Sequence, residues 1–282
     1  MADHSRRTFL KLAGLTTMAG QIPLSNVFAS SIPCEPGKDT VPFSLGMASY
    51  TFRSFSFDQT LEMTKRLGLT KLTLKDMHLP MNISEEEMRT VREKMKAAGV
   101  ELSSCGVVYM KTEEEVHKGF AYAKLAGIRM MVGVPDKSLM DVAERMVKET
   151  DISLAIHNHG PTDNRFPSPE SAYTLIAGMD KRMGLCIDVG HTQRLGLDPA
   201  AEVERFADRL LDVHIKDVSS ADAKGSTVEI GRGVIDTPKL LKTLMKLKYS
   251  GTLHFEHEKD QKDPLPGVAE SIGYVRGVLA TM

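Results

Sequence analysis

From Phe43 onward, short apolar runs alternate with longer segments in which apolar positions recur every three or four residues. This is the pattern of buried strands followed by amphipathic helices. Strands are expected at 43–48, 71–75, 101–107, 129–133, 153–157, 183–188, 210–215 and 252–256. Helices are expected at 58–67, 84–98, 112–125, 139–149, 168–177, 200–206, 237–247 and 267–279. Asp58 and Ser84 read as helix N-caps, and Ser84 with Glu87 forms a capping box, in which each residue satisfies a free backbone N–H of the first turn. Gly68, Gly99 and Gly127 stand where a helix must stop before the next strand.

Regular strand–helix alternation predicts parallel strands joined by crossover helices. Eight such units in about 240 residues match one (β/α)8 barrel, whose site lies at the C-terminal ends of its strands. A doubly wound open sheet would usually carry a glycine-rich phosphate turn after its first strand, whereas here that strand runs into Ser49-Tyr-Thr-Phe-Arg53. The barrel is the expected fold, and it occupies 43–282.

The first 29 residues stand outside this pattern. Ser5-Arg-Arg-Thr-Phe-Leu-Lys11 is a twin-arginine export motif, a short apolar stretch follows from Leu12, and Val27 and Ala29 place small residues for cleavage before Ser30. Residues 1–29 are therefore read as a signal peptide and 30–42 as a linker containing prolines. The apolar stretch is too short to remain as a stable membrane anchor. The expected location is the periplasm of a bacterium, reached by a route that exports proteins already folded around their metal.

Composition narrows the ligand class. Thirty-six basic against 37 acidic residues leave a formal charge of −1, which offers no electrostatic attraction for nucleic acid or an anionic membrane. A compact, uncharged small molecule fits better. Cys34, Cys105 and Cys186 are three distant cysteines without C-x-x-C spacing, so neither a zinc knuckle nor a disulfide framework is signalled. Cys105 and Cys186 read as core strand residues. The sequence is compatible with a homo-oligomer without specifying one.

Several expected strands finish on residues that bind metals or move protons. Strand two ends at Lys75-Asp-Met-His78, strand five at His157-Asn-His159, strand six at Asp188-Val-Gly-His191, strand seven at His214-Ile-Lys-Asp217 and strand eight at Glu256-His-Glu258. In a barrel these endings ring one mouth, where imidazole and carboxylate groups can meet a divalent ion such as Mn, Co, Fe or Zn. Lys75 is a candidate base if burial near a cation lowers its affinity for protons; otherwise it is a solvated lysine or a partner of Asp76. Arg232, between Gly231 and Gly233, reads either as a substrate contact or as a structural clamp.

The segments "LGMASYTF", "CIDVGH", "DVHIKD" and the run from "GRGVID" to "YSGTLHFEHE" resemble the xylose-isomerase-like barrels. These are described as sugar phosphate isomerases and epimerases, with tagatose epimerases, inosose dehydratases and abasic-site endonucleases among their relations. The resemblance covers nearly all of the chain after the leader. It implies one divalent metal held at the ends of strands five to eight, by His157, Asp188, His214 and Glu256, with Glu258 as the competing carboxylate. Many members carry Glu where this chain has His157, which removes one of the two facing carboxylates of a two-base epimerase. The resemblance further implies that His191 binds a substrate oxygen; His78 and Lys216 are read as further substrate contacts at the mouth, and Lys75, His159 and Glu258 as the catalytic candidates. Lys216 and Asp217 read alternatively as ties for the seventh loop, and His159 as a support to the ligands.

The family's chemistry is enolisation of a keto sugar with metal assistance. Export and the lack of a phosphate cradle argue against phosphorylated substrates. The expectation drawn from "LKDMHL" and from export is a 3-keto-glucoside 1,2-lyase, releasing an aglycone and a 3-keto-2-hydroxyglucal. The alternatives are an isomerase or epimerase of unphosphorylated keto sugars and a noncatalytic periplasmic carbohydrate-binding barrel.

Overall fold

The computed structural model describes residues 41–282. The leader at 1–29, with Arg6 and Arg7, lies outside the described residues, as do Cys34 and most of the 30–42 linker. Eight parallel strands close into a barrel: β1 Ser44–Ala48, β2 Lys71–Leu74, β3 Glu101–Met110, β4 Met130–Pro135, β5 Ser153–His157, β6 Met183–Asp188, β7 Leu210–Ile215 and β10 Thr252–Phe255. Consecutive barrel strands are neighbours, and β1 pairs with β10 to complete the closure. Between β7 and β10 lies a two-stranded antiparallel ribbon, β8 Asp217–Val218 with β9 Thr227–Val228. This ribbon and a five-residue helix at Val189–Gln193 are too short to show a period in the sequence.

Helices fill the crossovers. The first runs Phe57–Arg66, and its N-cap is Ser56, not Asp58. Ser56 accepts from the backbone of Gln59 while the Gln59 side chain accepts from Ser56 N–H, the same reciprocal box that Ser84 and Glu87 form at the helix Glu85–Ala98. Asp58 sits in the first turn, where its charge complements the positive end of the helix. Gly99 and Gly127 take the left-handed conformation that ends a helix.

Two strands outrun their expected ends. β3 continues to Met110 and β4 to Pro135, which carries Tyr109 to the barrel mouth. The last helix begins at Leu265, two residues before the expected start. Cys105 and Cys186 are fully buried strand residues with free thiols, as expected. No helix among the described residues is long and apolar enough to cross a membrane.

Candidate metal centre

Parallel register decides which side chains meet. Asp188 on β6 pairs with His214 on β7, and His214 pairs with His254 on β10, so these side chains point to the same side of the sheet. Two residues after His254, one past the end of β10, comes Glu256, and across β6 the register pairs Cys186 with His157. Ligand atoms of His157, Asp188, His214 and Glu256 all lie within 4.8 Å of one another, and all four residues are buried. His157 Nε2 is 3.2 Å from His214 Nδ1, His214 Nδ1 is 3.3 Å from Glu256 Oε2, and His157 Nε2 is 3.6 Å from Asp188 Oδ2.

Asp188 shows how local structure divides a carboxylate between two tasks. Its Oδ1 accepts the His191 backbone N–H at 2.7 Å, capping the helix Val189–Gln193. Its own backbone N–H donates to Asn158 Oδ1 at 3.0 Å, and Asn158 donates in turn to Thr192 Oγ1 at 3.2 Å. The remaining oxygen, Oδ2, is left facing the cluster. It accepts no hydrogen bond of good geometry, although Lys216 Nζ lies 3.0 Å away.

These residues fit a divalent cation. Two imidazole nitrogens and two carboxylate oxygens, all within 4.8 Å of one another and as close as 3.2 Å, form a donor set that one ion with ligand bonds of roughly 2.0–2.2 Å would draw together. The mixed nitrogen and oxygen set suits Mn, Fe, Co or Zn. Burial pushes the His157 pKa down to about 4, so at neutral pH its ring carries a lone pair for a ligand bond. Burial also opposes charge on His214, but Glu256, Asp212 and Asp188 together outweigh it and raise the pKa. Burial likewise works against ionising Asp188 and Glu256. Neighbouring His191 and Lys216 at Asp188, and Lys216 and His214 at Glu256, hold both carboxyls below their ordinary range. A buried pair of carboxylates beside imidazoles needs a positive charge among them.

Lys216 supplies such a charge from the protein itself. Its Nζ lies 2.7 Å from Glu256 Oε2 and 3.0 Å from Asp188 Oδ2, and it also contacts Glu258. Burial disfavours this ammonium, but the three carboxylates hold its pKa well above the ordinary value. Lys216 therefore belongs to the cluster more than to the seventh loop. That loop is tied by Asp217, whose Oδ2 accepts from Gly231 and Gly233 N–H and whose Oδ1 accepts from Val218 and Ile235 N–H. Glu256 is the carboxylate in the cluster. Glu258 reaches it only through Lys216 and lines the adjoining cleft.

That cleft, of about 480 Å³, opens beside the cluster between the β8–β9 ribbon and the helix at Val189–Gln193. His191, Arg194, Lys216 and Glu258 line it, with Thr227 and Lys259 on the far side. His159 lies against His157, their ring centres 4.4 Å apart and their planes tilted by 57°. Burial pushes the His159 pKa down to about 4 as well. Its Nε2 is 2.9 Å from the Tyr109 hydroxyl. Lys75 Nζ lies over the rings of Tyr109 and Tyr50, 5.2 and 5.5 Å from their centres, and donates to Val107 O at 3.4 Å.

Two expected site residues lie elsewhere. His78 is buried with its Nε2 3.0 Å from Phe55 O and 3.2 Å from Phe52 O, which makes it the donor that ties the segment after β1 to the β2 loop. It is not a substrate contact in this arrangement, because those carbonyls and Thr60 occupy its accessible nitrogen. Arg232 is exposed and grips Glu270 through Nε and Nη2, the structural clamp that its alternative reading described.

Four participants go unread at the level of sequence. Tyr109 reaches the mouth only because β3 runs long, and its nearest signal was an aromatic two residues past the expected end of that strand. Arg194 joins the cleft through the turn of a helix too short to foresee. Asp212 and His254 lie beneath the ligands inside the barrel, and the signal available for them was alternation: they stand two positions before His214 and Glu256.

A family profile described as "Xylose isomerase-like TIM barrel" matches residues 56–278. The rhizopine catabolism protein MocC of Rhizobium meliloti is 33% identical over 153 residues, 49% of this chain and 46% of that protein. The inosose dehydratase of Geobacillus kaustophilus strain HTA426 is 28% identical over 159 residues, 50% of this chain and 49% of that protein. The chain thus spans about half the length of these curated relatives. The crystal structure of 3-keto-D-glucoside 4-epimerase, YcjR, from E. coli shares the fold with a TM-score of 0.69 at 14% identity, over 83% of this chain and 99% of that one.

Proposed function

Because the chain belongs to the xylose isomerase-like TIM-barrel family, we propose that it is a divalent-metal-dependent lyase that eliminates the C1 substituent of 3-keto-glucosides. The observation that carries this reading is His157 within the ligand cluster, 3.2 Å from His214. An epimerase with two carboxylate bases takes a proton from one face of the sugar and returns one to the other. Here an imidazole committed to the cluster occupies one of those positions, and elimination needs proton removal from one face only. The inosose dehydratase among the relatives is named for an elimination, the loss of water.

His157, Asp188, His214 and Glu256 would hold one ion, with a position left open for substrate. When bound, the ion would polarise the ketone and its neighbouring hydroxyl, making the adjacent C–H acidic. The C2 proton passes to a base, the C2–H electron pair becomes the C1=C2 double bond, and the C1–O bond breaks. The departing oxygen takes up a proton, and the products are the aglycone and a 3-keto-2-hydroxyglucal. We assign proton removal to Lys75. Among the lysines described here it stands at the mouth with no carboxylate contact, whereas Lys216 is held by three and Lys259 by Glu229. Tyr109 links Lys75 to His159, which serves as the support for that flank.

On the cleft side, Glu258, His191 and Arg194 surround the space into which the aglycone would extend. The roles of Lys216 are to neutralise the buried carboxylates and to border this cleft. The substrate is a small carbohydrate, and the twin-arginine motif at Arg6 and Arg7 supports a periplasmic location where glycosides arrive from outside.

The test is incubation of metal-loaded protein with a 3-keto-glucoside, and separately with free ketohexoses, in deuterated water, followed by NMR. Aglycone release with an unsaturated keto sugar is the expected result. Deuterium incorporated into an intact ketohexose would replace the lyase by an isomerase or epimerase, and binding without reaction would replace it by the noncatalytic reading.

A further inference from the structure

Below the metal centre a row of polar groups crosses the barrel interior where apolar side chains usually fill the space. Ser103 Oγ on β3 is 2.8 Å from His254 Nε2, and His254 Nδ1 is 2.8 Å from Asp212 Oδ1. Asp212 Oδ2 then faces His214 Nε2 at 3.6 Å. His254 and Asp212 are fully buried. The row depends on a missing side chain: a Cβ on Gly46 would sit 2.7 Å from His254 Cδ2, so the glycine on β1 leaves room for the ring to lie across the barrel.

The two ends of the His214 ring have different neighbours. Nδ1 faces His157 and Glu256, whereas Nε2 is buried with no hydrogen-bond partner at normal distance, and the Asp212 carboxylate stands before it. A movement of roughly half an ångström brings Nε2 into a hydrogen bond with Asp212. A carboxylate accepts only, so a ring facing it carries its proton on Nε2 and turns a bare Nδ1 toward the cluster. Asp212 is itself held in place by His254, and His254 by Ser103.

We propose that Asp212 and His254 are positioning residues that fix the His214 ring with Nδ1 presented to the divalent ion. They do so from a polar chain running down through the barrel core and not from the mouth. The inference rests on the metal-centre reading above. The carboxylate behind a ligand imidazole sets its tautomer and raises its basicity, and loss of such a support commonly costs 10–100-fold in metal affinity. Replacing the carboxylate by an amide of the same shape lets the ring take the opposite tautomer, as in a serine protease triad when its aspartate becomes asparagine.

The experiment uses the full-length protein, with Co²⁺ titrated against a chromophoric chelator and, on Zn²⁺-loaded protein with labelled histidine, 15N shifts of the His214 ring. Wild type should bind Co²⁺ and show Nε2 protonated with Nδ1 on the metal. Asp212→Asn should lower Co²⁺ affinity about 10–100-fold and change the His214 15N pattern. Ser103→Ala, at the far end of the chain, should fold normally and shift both readouts in the same direction by a smaller amount. If Asp212→Asn does not fold, His254→Gln is read by the same two measurements. Unchanged affinity and unchanged His214 shifts in folded Asp212→Asn or His254→Gln overturn the proposal. Failure of wild type itself to bind Co²⁺ or Zn²⁺ overturns the metal-centre reading and the inference with it.

Discussion

His157 and His214 face each other with ring nitrogens 3.2 Å apart. Two bare lone pairs repel at that distance, so a proton or a cation must stand between them, and the oxygens of Asp188 and Glu256 border the same space. Asp188→Ala and His214→Ala should each lose stoichiometric metal while the barrel stays folded, because its core is filled by other side chains. Elemental analysis with circular dichroism checks this, and full metal content in both folded variants would sink the ligand assignment.

Lys216 holds the charge of three carboxylates from within the protein. Lys216→Met leaves Asp188 and Glu256 buried without that counter-charge, an arrangement that costs about 3–5 kcal/mol when one partner of a buried pair is removed. The metal-free variant should melt well below wild type, and added Mn²⁺ should recover most of the difference. Equal melting of the two metal-free proteins would show that Lys216 does not neutralise the cluster.

His78 acts in stability. Burial lowers its pKa from the ordinary 6.5, although the Phe55 and Phe52 carbonyls oppose the shift. The unfolded chain therefore takes up this proton at a higher pH than the folded protein does. The stabilising contribution is complete above about pH 6.5 and is lost as pH falls through the lowered folded value. His78→Leu should cost about 1–3 kcal/mol at neutral pH by leaving two carbonyls without a donor. Urea unfolding at about pH 7 and about pH 5 should show a smaller acid-induced loss in the variant than in wild type; an equal or larger loss contradicts the assignment.

Lys75→Met tests the base. Metal content and substrate affinity should stay within a few-fold of wild type while turnover falls by roughly a hundredfold or more, the usual scale for a lost general base. Unchanged turnover would pass the role to His159 or Glu258, and weakened affinity alone would make Lys75 a binding residue.

Export is tested at Arg6 and Arg7. Replacing both with lysine should leave the full-length precursor inside the cell, detected by fractionation and immunoblot. An undiminished periplasmic fraction would remove the twin-arginine reading.

The alternation of apolar runs and amphipathic segments determined the barrel, because strand and helix each impose a period on which positions are buried, and those periods are local. The same locality made the polar strand ends legible, and the shared register of parallel strands places them at one mouth; the choice of His157, Asp188, His214 and Glu256 among them came from the resemblance to the family. What the tertiary structure decided were matters of direction and partner. His78 follows a strand as the ligands do, yet its ring turns back to the Phe52 and Phe55 carbonyls. Arg232 meets Glu270, 38 residues away, on the outer surface. Glu256 and Glu258 have the same strand parity, and what separates the one in the cluster from the one in the cleft is that β10 ends at Phe255, so alternation no longer governs where the following side chains go. Asp212, His254 and Ser103 come together because closure brings β3, β7 and β10 across the same interior. A contact of that kind depends on which strands become neighbours and on what Gly46 leaves empty, and neither is a property of any segment taken alone.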